Sequence, residues 1–149
     1  MNTNKNQMTV LLVDDDPDDR FLIQEAVSEA GLQIMLEQAQ DGQELIDYLC
    51  HQGKYTNGRA GPRPDLILLD LNMPRKDGRE ALAEIKANEK LQMIPIVVLT
   101  TSSSPDDIRQ AYCLGVSSYL TKPVSFDGLV EMMKVLGEYW FNIAQLPKH

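Results

Sequence analysis

The chain has 149 residues, enough for one domain with a continuous core and too few to add a second module such as a DNA-binding unit. With 14 basic against 22 acidic residues, a formal charge of −8 and no basic cluster, the composition argues against a nucleic-acid or anionic-membrane surface. The polar start Met1 to Met8 lacks the apolar stretch of a signal peptide, no later run reaches a transmembrane length, and Cys50 and Cys113 follow no metal-ligand spacing, which together predict a cytoplasmic protein with reduced thiols.

Strand-like runs alternate with helical patterns along the chain, the arrangement of a doubly wound α/β domain: five parallel strands with five helices. The first run, Thr9 to Val13, ends in Asp14, Asp15 and Asp16. Asp16 is placed to cap a helix that has Pro17 at its first position and Asp18 and Asp19 in its first turn, with Ile23, Ala26, Val27 and Ala30 on one face and Gly31 at its end. A second strand, Ile34 to Ala39, leads through Asp41-Gly42 to a short helix carrying Leu45, Ile46 and Leu49. The segment from Gly53 to Pro64 is longer than most loops in compact α/β units and is the one irregular insertion.

The run Leu66 to Leu69 ends in Asp70, and Asp77-Gly78 turns the chain into a helix with Ala81, Leu82 and Ile85 inward. Pro95 opens the strand Ile96 to Leu99, which stops at Thr100. Ser104-Pro105-Asp106-Asp107 repeats the capping pattern of the first helix, and Gly115 stops that fourth helix. Tyr119-Leu120-Thr121 runs into Lys122-Pro123, and Ser125 is placed to cap a last helix whose Leu129, Met132, Met133, Leu136 and Trp140 keep helical spacing for packing on the sheet.

In an open parallel sheet, ligands bind beyond the carboxyl ends of the strands, so Asp14, Asp15, Asp70, Thr100 and Lys122 should gather at one edge. Two carboxylates about 4 Å apart repel by roughly 4 kcal/mol at an effective dielectric near 20, enough to raise a pKa by about three units. A hard divalent cation removes that conflict, and oxygen-only donors favour Mg2+ that also takes a phosphate oxygen. Lys122 and Thr100 would then face an incoming phosphoryl group, with Asp70 the remaining acid and the nucleophile of an aspartyl-phosphate. Capping and turn roles account for Asp16, Asp18, Asp19, Asp41, Asp77, Asp106 and Asp107, and His51 and His149 show no ligand or triad spacing. The Asp-rich turn after the first strand excludes a glycine-rich nucleotide loop.

These residues, in this order, resemble the receiver domain of two-component response regulators, with the CheY-like (flavodoxin-like) fold. Leu12-Val13-Asp14-Asp15 is similar to the family's acidic pair, and Leu69-Asp70-Leu71-Asn72-Met73-Pro74 to its phosphoacceptor motif. The resemblance implies phosphorylation at Asp70. It implies a metal held by Asp15, Asp70 and the main-chain carbonyl of Asn72, with Asp14 acting through water. It further implies a switch hydroxyl at Thr100, a switch aromatic at Tyr119, the family's lysine at Lys122, and a cis Lys122–Pro123 bond. Read from the pattern alone, Tyr119 fits an edge-strand aromatic packed on a helix equally well. Ser102 offers no acid to orient an attacking water, so slow loss of the phosphoryl group is expected.

The domain reading is a disordered N-terminus over residues 1–8, a receiver domain over 9–141 and a short extension over 142–149, with no effector domain. The long loop after the second helix and the Asp70 to Glu80 stretch are most similar to the stand-alone regulators paired with cyanobacterial phytochromes. That resemblance implies a phytochrome histidine kinase as donor, docking on the first helix, and a role in light signalling. Tyr139, Trp140 and Phe141 are consecutive and cannot all face one core, and Ile143 and Leu146 prolong the apolar tail. A homodimer through the fourth helix, fifth strand and fifth helix and a tail folded back on its own domain remain equal readings. Rival functions are a phosphorelay intermediate, a regulator of another kinase such as one for motility, and a magnesium-dependent phosphatase. The last usually wants an acid where this chain has Asn72.

Overall fold

The computed structural model describes residues 7–147. Strands β1 (Met8–Val13), β2 (Ile34–Ala39), β3 (Leu66–Leu69), β4 (Ile96–Thr100) and β5 (Ser118–Thr121) pair in parallel in the order β2-β1-β3-β4-β5. Helices α1 (Pro17–Glu29), α2 (Gly42–Cys50), α3 (Gly78–Ala87), α4 (Pro105–Cys113) and α5 (Phe126–Gly137) make the crossovers and the final element. The order reverses between β1 and β3, and that reversal opens a crevice at the carboxyl ends of these two strands.

Both faces of the sheet are covered, which is why its strands read as continuous apolar runs. Val10, Leu12, Leu66, Leu68, Val97 and Leu99 pack with Ile23, Ala26 and Val27 of α1 and Leu129, Val130 and Met133 of α5. Their neighbours Leu11, Val13, Ile67, Leu69, Ile96 and Val98 turn the other way, onto Leu45 of α2, Leu82 and Ile85 of α3, and Ala111 of α4. Met132 and Met133 both lie in the first of these cores, as their helical spacing predicts.

The caps at Asp16, Ser104 and Ser125 form as the sequence predicts, and Asp41 and Asp77, expected as turn residues, are N-caps of α2 and α3 as well. Asp16 accepts from the Asp18 amide, Asp41 from Glu44, Ser104 from Asp107 and Ser125 from Gly128, while Asp77 and Glu80 form a reciprocal capping box. Gly42 and Gly78 are required by close approach. A Cβ on Gly78 would lie 2.5 Å from the Asp70 carbonyl oxygen, and one on Gly42 would lie 2.3 Å from that of Lys76. The segment after β3 is thereby held between the starts of α2 and α3, and Arg75, at φ 61°, reaches Asp41 at 2.8 Å to complete the clamp.

Gly53 to Pro64 is pinned rather than loose: it starts with a 3-10 turn over Gly53–Tyr55, Tyr48 donates to the Pro62 carbonyl at 2.8 Å, and the Tyr48 and Tyr55 rings meet edge to face. The sequence reading is corrected in three places. Met8, assigned to the disordered tail, is the first residue of β1 and pairs opposite Ile34, because β2 extends that far; residues 1–6 lie outside the described residues. The receiver boundary at 141 falls inside a π-helical turn, Glu138–Ile143, whose wide i→i+5 bond from the Ala144 amide to the Tyr139 carbonyl shifts the helical periodicity. No cis peptide occurs among the described residues, so Lys122–Pro123 is trans, the intrinsically favoured form of a prolyl bond.

Gly78→Ala is expected to destabilise the protein by about 1–3 kcal/mol, as the methyl group must displace backbone rather than a flexible side chain. Chemical denaturation measures this, and a midpoint equal to the native one would contradict the close-approach argument.

Candidate functional site

Asp14 and Asp15 follow β1 directly and Asp70 follows β3, and these strands flank the crevice. Each of the three can offer a carboxylate oxygen so that the set lies within 4.8 Å of one another. Asp14 is held from several directions. Its amide donates to the Ala39 carbonyl at 3.1 Å, its Oδ1 accepts from the Asp16 amide at 3.0 Å, and its carbonyl accepts from Arg20 at 2.6 Å. Asp70 is fixed by its amide to the Val13 carbonyl at 2.9 Å and accepts from the Asn72 amide at 3.3 Å. Asp15 is exposed, at the mouth of the site.

Lys122 enters from the end of β5. Its amide donates to the Thr100 carbonyl, prolonging the β4–β5 ladder by one bond, and its Nζ lies 2.7 Å from Asp14, 3.0 Å from Asp19 and 3.5 Å from Asp70. Burial pushes the Asp14 carboxyl above the ordinary carboxylate range; the hydrogen bonds from Lys122 and the Asp16 amide only partly oppose it. Burial works the other way on the Lys122 ammonium, but the bond to Asp14 and the charge of Asp70 outweigh it and hold the group above the usual lysine value.

Thr100 is fully buried at the end of β4, and its Oγ1 has no hydrogen-bond partner. An unsatisfied buried hydroxyl costs about 1–3 kcal/mol, so the site is built with a donor that a ligand oxygen would satisfy. Tyr119 both packs against the α2–α3–α4 core and donates its hydroxyl to the Ser102 carbonyl at 3.0 Å, which ties it to the loop that follows Thr100. Three hard carboxylate oxygens with an orphaned hydroxyl and an ammonium group suit a divalent cation and a phosphoryl group bound side by side.

Two sets of residues escaped the sequence reading. Asp19, credited only with a first-turn role, also faces Lys122. Asp107, credited with capping, accepts from Ser102 at 2.6 Å and from Arg79 of α3 at 2.9 Å, and these bonds, Ser102 first, hold its carboxyl below the ordinary range. No local signal marks either role, since both depend on how neighbouring helices meet.

A divalent cation held by these converging carboxylates would favour the folded chain, so it should stabilise by about 2.7 kcal/mol at one hundred times its dissociation constant, and Asp15→Asn should abolish most of the shift. Because Asp14 is raised, the folded metal-free chain binds a proton there more tightly than the unfolded one. That contribution is present below the ordinary carboxylate range and is lost as pH rises through the raised value. Metal affinity should accordingly weaken as pH falls, and the metal-free native chain should lose stability relative to Asp14→Asn as pH rises toward neutrality. Denaturation midpoints in chelator that run parallel for the two proteins would contradict this.

Comparison with known proteins agrees with the geometry. The family model described as the response regulator receiver domain matches residues 10–134. Response regulator Rcp1 of Synechocystis sp. is 44% identical over 138 residues, spanning 93% of this chain and 92% of Rcp1. The Probable methanogenesis regulatory protein FilR2 of Methanothrix harundinacea is 43% identical, spanning 93% of this chain and 86% of FilR2. Among solved structures, the phosphorylated cyanobacterial phytochrome response regulator RcpA superposes with a TM-score of 0.86 at 44% identity, covering 95% of this chain and 99% of RcpA. The Mn2+-bound form of Rcp1 gives 0.84 at 43%, covering 95% and 99%. The chain belongs to the response regulator receiver domain family.

Proposed function

We propose that this chain is the response regulator of a phytochrome-class sensor histidine kinase, accepting a phosphoryl group on Asp70 with Mg2+ as the bound metal. The observation that carries the reading is the meeting of Asp14, Asp15, Asp70 and Lys122 at the β1/β3 crevice, in a chain similar to Rcp1 and RcpA over nearly its whole length. The nearly equal identity to FilR2 keeps a second reading, a regulator answering a different kinase. A phosphorelay intermediate shares the same site. A small-molecule phosphatase lacks support, since Asn72 stands where that chemistry wants an acid.

In this reading Asp15, Asp70 and the Asn72 carbonyl would hold the metal, with Asp14 acting through water, and when bound the metal would supply positive charge that offsets the carboxylates and the phosphoryl oxygens. An Asp70 oxygen bonds to phosphorus as the phosphorus–nitrogen bond of the donor phosphohistidine breaks, and the imidazole nitrogen keeps that electron pair and takes up a proton. Lys122 and the Thr100 hydroxyl then take phosphoryl oxygens. A carboxylate attacks through an oxygen lone pair, so the step calls for no general base. The Ser102 hydroxyl is committed to Asp107, and Arg79 occupies that carboxylate's other oxygen. Neither is free to orient a water, so the phosphoryl group is lost slowly.

The partner surfaces follow from exposed apolar side chains. Phe21 and Leu22 on the outer side of α1 are 59% and 44% exposed and suit kinase docking. Trp140 and Phe141 pack back on the α1–α5 core, whereas Tyr112 of α4, Val135 of α5, and Tyr139 and Ile143 of the π-helical turn are half-exposed or more. Tyr112 and Val135 lie on elements of an α4–β5–α5 homodimer, and Tyr139 and Ile143 on the turn that prolongs α5. Engagement of Thr100 and movement of Tyr119 on phosphorylation would bias that face by population shift.

The test is transfer from a labelled phytochrome histidine kinase and from an unrelated histidine kinase. Rapid, stable labelling by the first alone is expected, and equal labelling by both, or a label lost within the mixing time, would contradict the reading. On a sizing column Tyr139→Ala should elute later than the native chain; coincident elution would remove the dimer.

A further inference from the structure

Lys122 has three N–H donors, and in the resting chain Asp14 and Asp19 take the two short contacts, at 2.7 and 3.0 Å, while Asp70 is left the long one at 3.5 Å. The phosphoacceptor is therefore the least well served of the lysine's three partners. The other two differ in kind. The Asp14 side chain is 1% exposed and also accepts from the Asp16 amide, so its bond to Lys122 is locked; the Asp19 side chain is 36% exposed, on the first turn of α1, where water can replace the lysine at small cost.

We propose that Asp19 is a positioning residue for phosphoryl transfer: it restrains the Lys122 ammonium on the α1 side of the site and yields it when a phosphoryl oxygen arrives at Asp70. This rests on the reading of Asp70 as phosphoacceptor. Asp19 touches neither Asp70 nor the metal donors in any hydrogen bond of the structure, so it acts through the lysine alone. Asp18, beside it in the same turn, is also acidic but only donates its amide to the Asp16 cap and forms no ion pair with Lys122, which gives an internal control.

The experiment is the rate of phosphorylation by acetyl phosphate in saturating Mg2+, read by intact mass, for the native chain, Asp19→Asn, Asp19→Glu and Asp18→Asn, and for Asp19→Asn in a Lys122→Gln background. Asp19→Asn should react about two- to fivefold faster, the factor corresponding to loss of an exposed ion pair. Asp19→Glu should return to the native rate, Asp18→Asn should stay at it, and the gain should vanish without Lys122. Mg2+ affinity, from the thermal shift with metal alone, should change less than twofold. An unchanged or slower Asp19→Asn, an equal gain for Asp18→Asn, or a gain that persists in Lys122→Gln would overturn the proposal. A native chain that takes up no phosphoryl group would instead remove the reading of Asp70 on which it rests.

Discussion

One ammonium group among four carboxylates governs the carboxyl edge of this sheet. Asp14, Asp15, Asp19 and Asp70 approach the same small volume, and among the described residues Lys122 is the cation whose side chain pairs with Asp14, Asp19 and Asp70. An arrangement with this surplus of negative charge is costly unless a cation joins it, and proteins retain such conflicts where they are used. The fold supports the conflict through continuous apolar strands buried on both sides. Their ends cannot move independently, because Gly78 and Gly42 bring the β3–α3 segment against two helix starts with no room for a side chain.

In the proposed function, the same rigidity would carry a change at Asp70 outward. Thr100 is sealed into the end of β4 with an unsatisfied hydroxyl, and the loop that follows it is bonded to Tyr119 on β5 and to Asp107 on α4, which is in turn held by Arg79 on α3. A new partner for Thr100 pulls on a loop whose other bonds reach three elements. These bonds are mutually dependent, and in the proposed function an alternative set with Thr100 satisfied would be the basis of a second conformation.

Much of this was legible in the sequence, for reasons that differ by residue. The strands were readable because burial on both faces forces continuous apolar runs, and three helix starts because Asp16, Ser104 and Ser125 each satisfy an amide within three positions, whereas Asp41 and Asp77, read as turn residues before glycine, cap their helices too. The acids at the strand ends were readable because a strand fixes where its next residue lies. Asp19 was not, since a first-turn acid is fully accounted for by its own helix, and its contact with Lys122 depends on how α1 meets the end of β5. The consecutive aromatics could not be assigned because the π-helical turn changes the period from which facing is read; Trp140 and Phe141 turn inward and Tyr139 outward. The trans Lys122–Pro123 bond carries no mark in the residues around it.

The most direct test of the central claim, that the acidic crevice exists to phosphorylate Asp70, is the intact mass of the native chain and Asp70→Asn after incubation with acetyl phosphate, with and without Mg2+. The account predicts a gain of one phosphoryl group in the native chain, dependent on the metal, and none in the variant. A gain of equal size in Asp70→Asn, or no gain in either protein with the metal present, would contradict it.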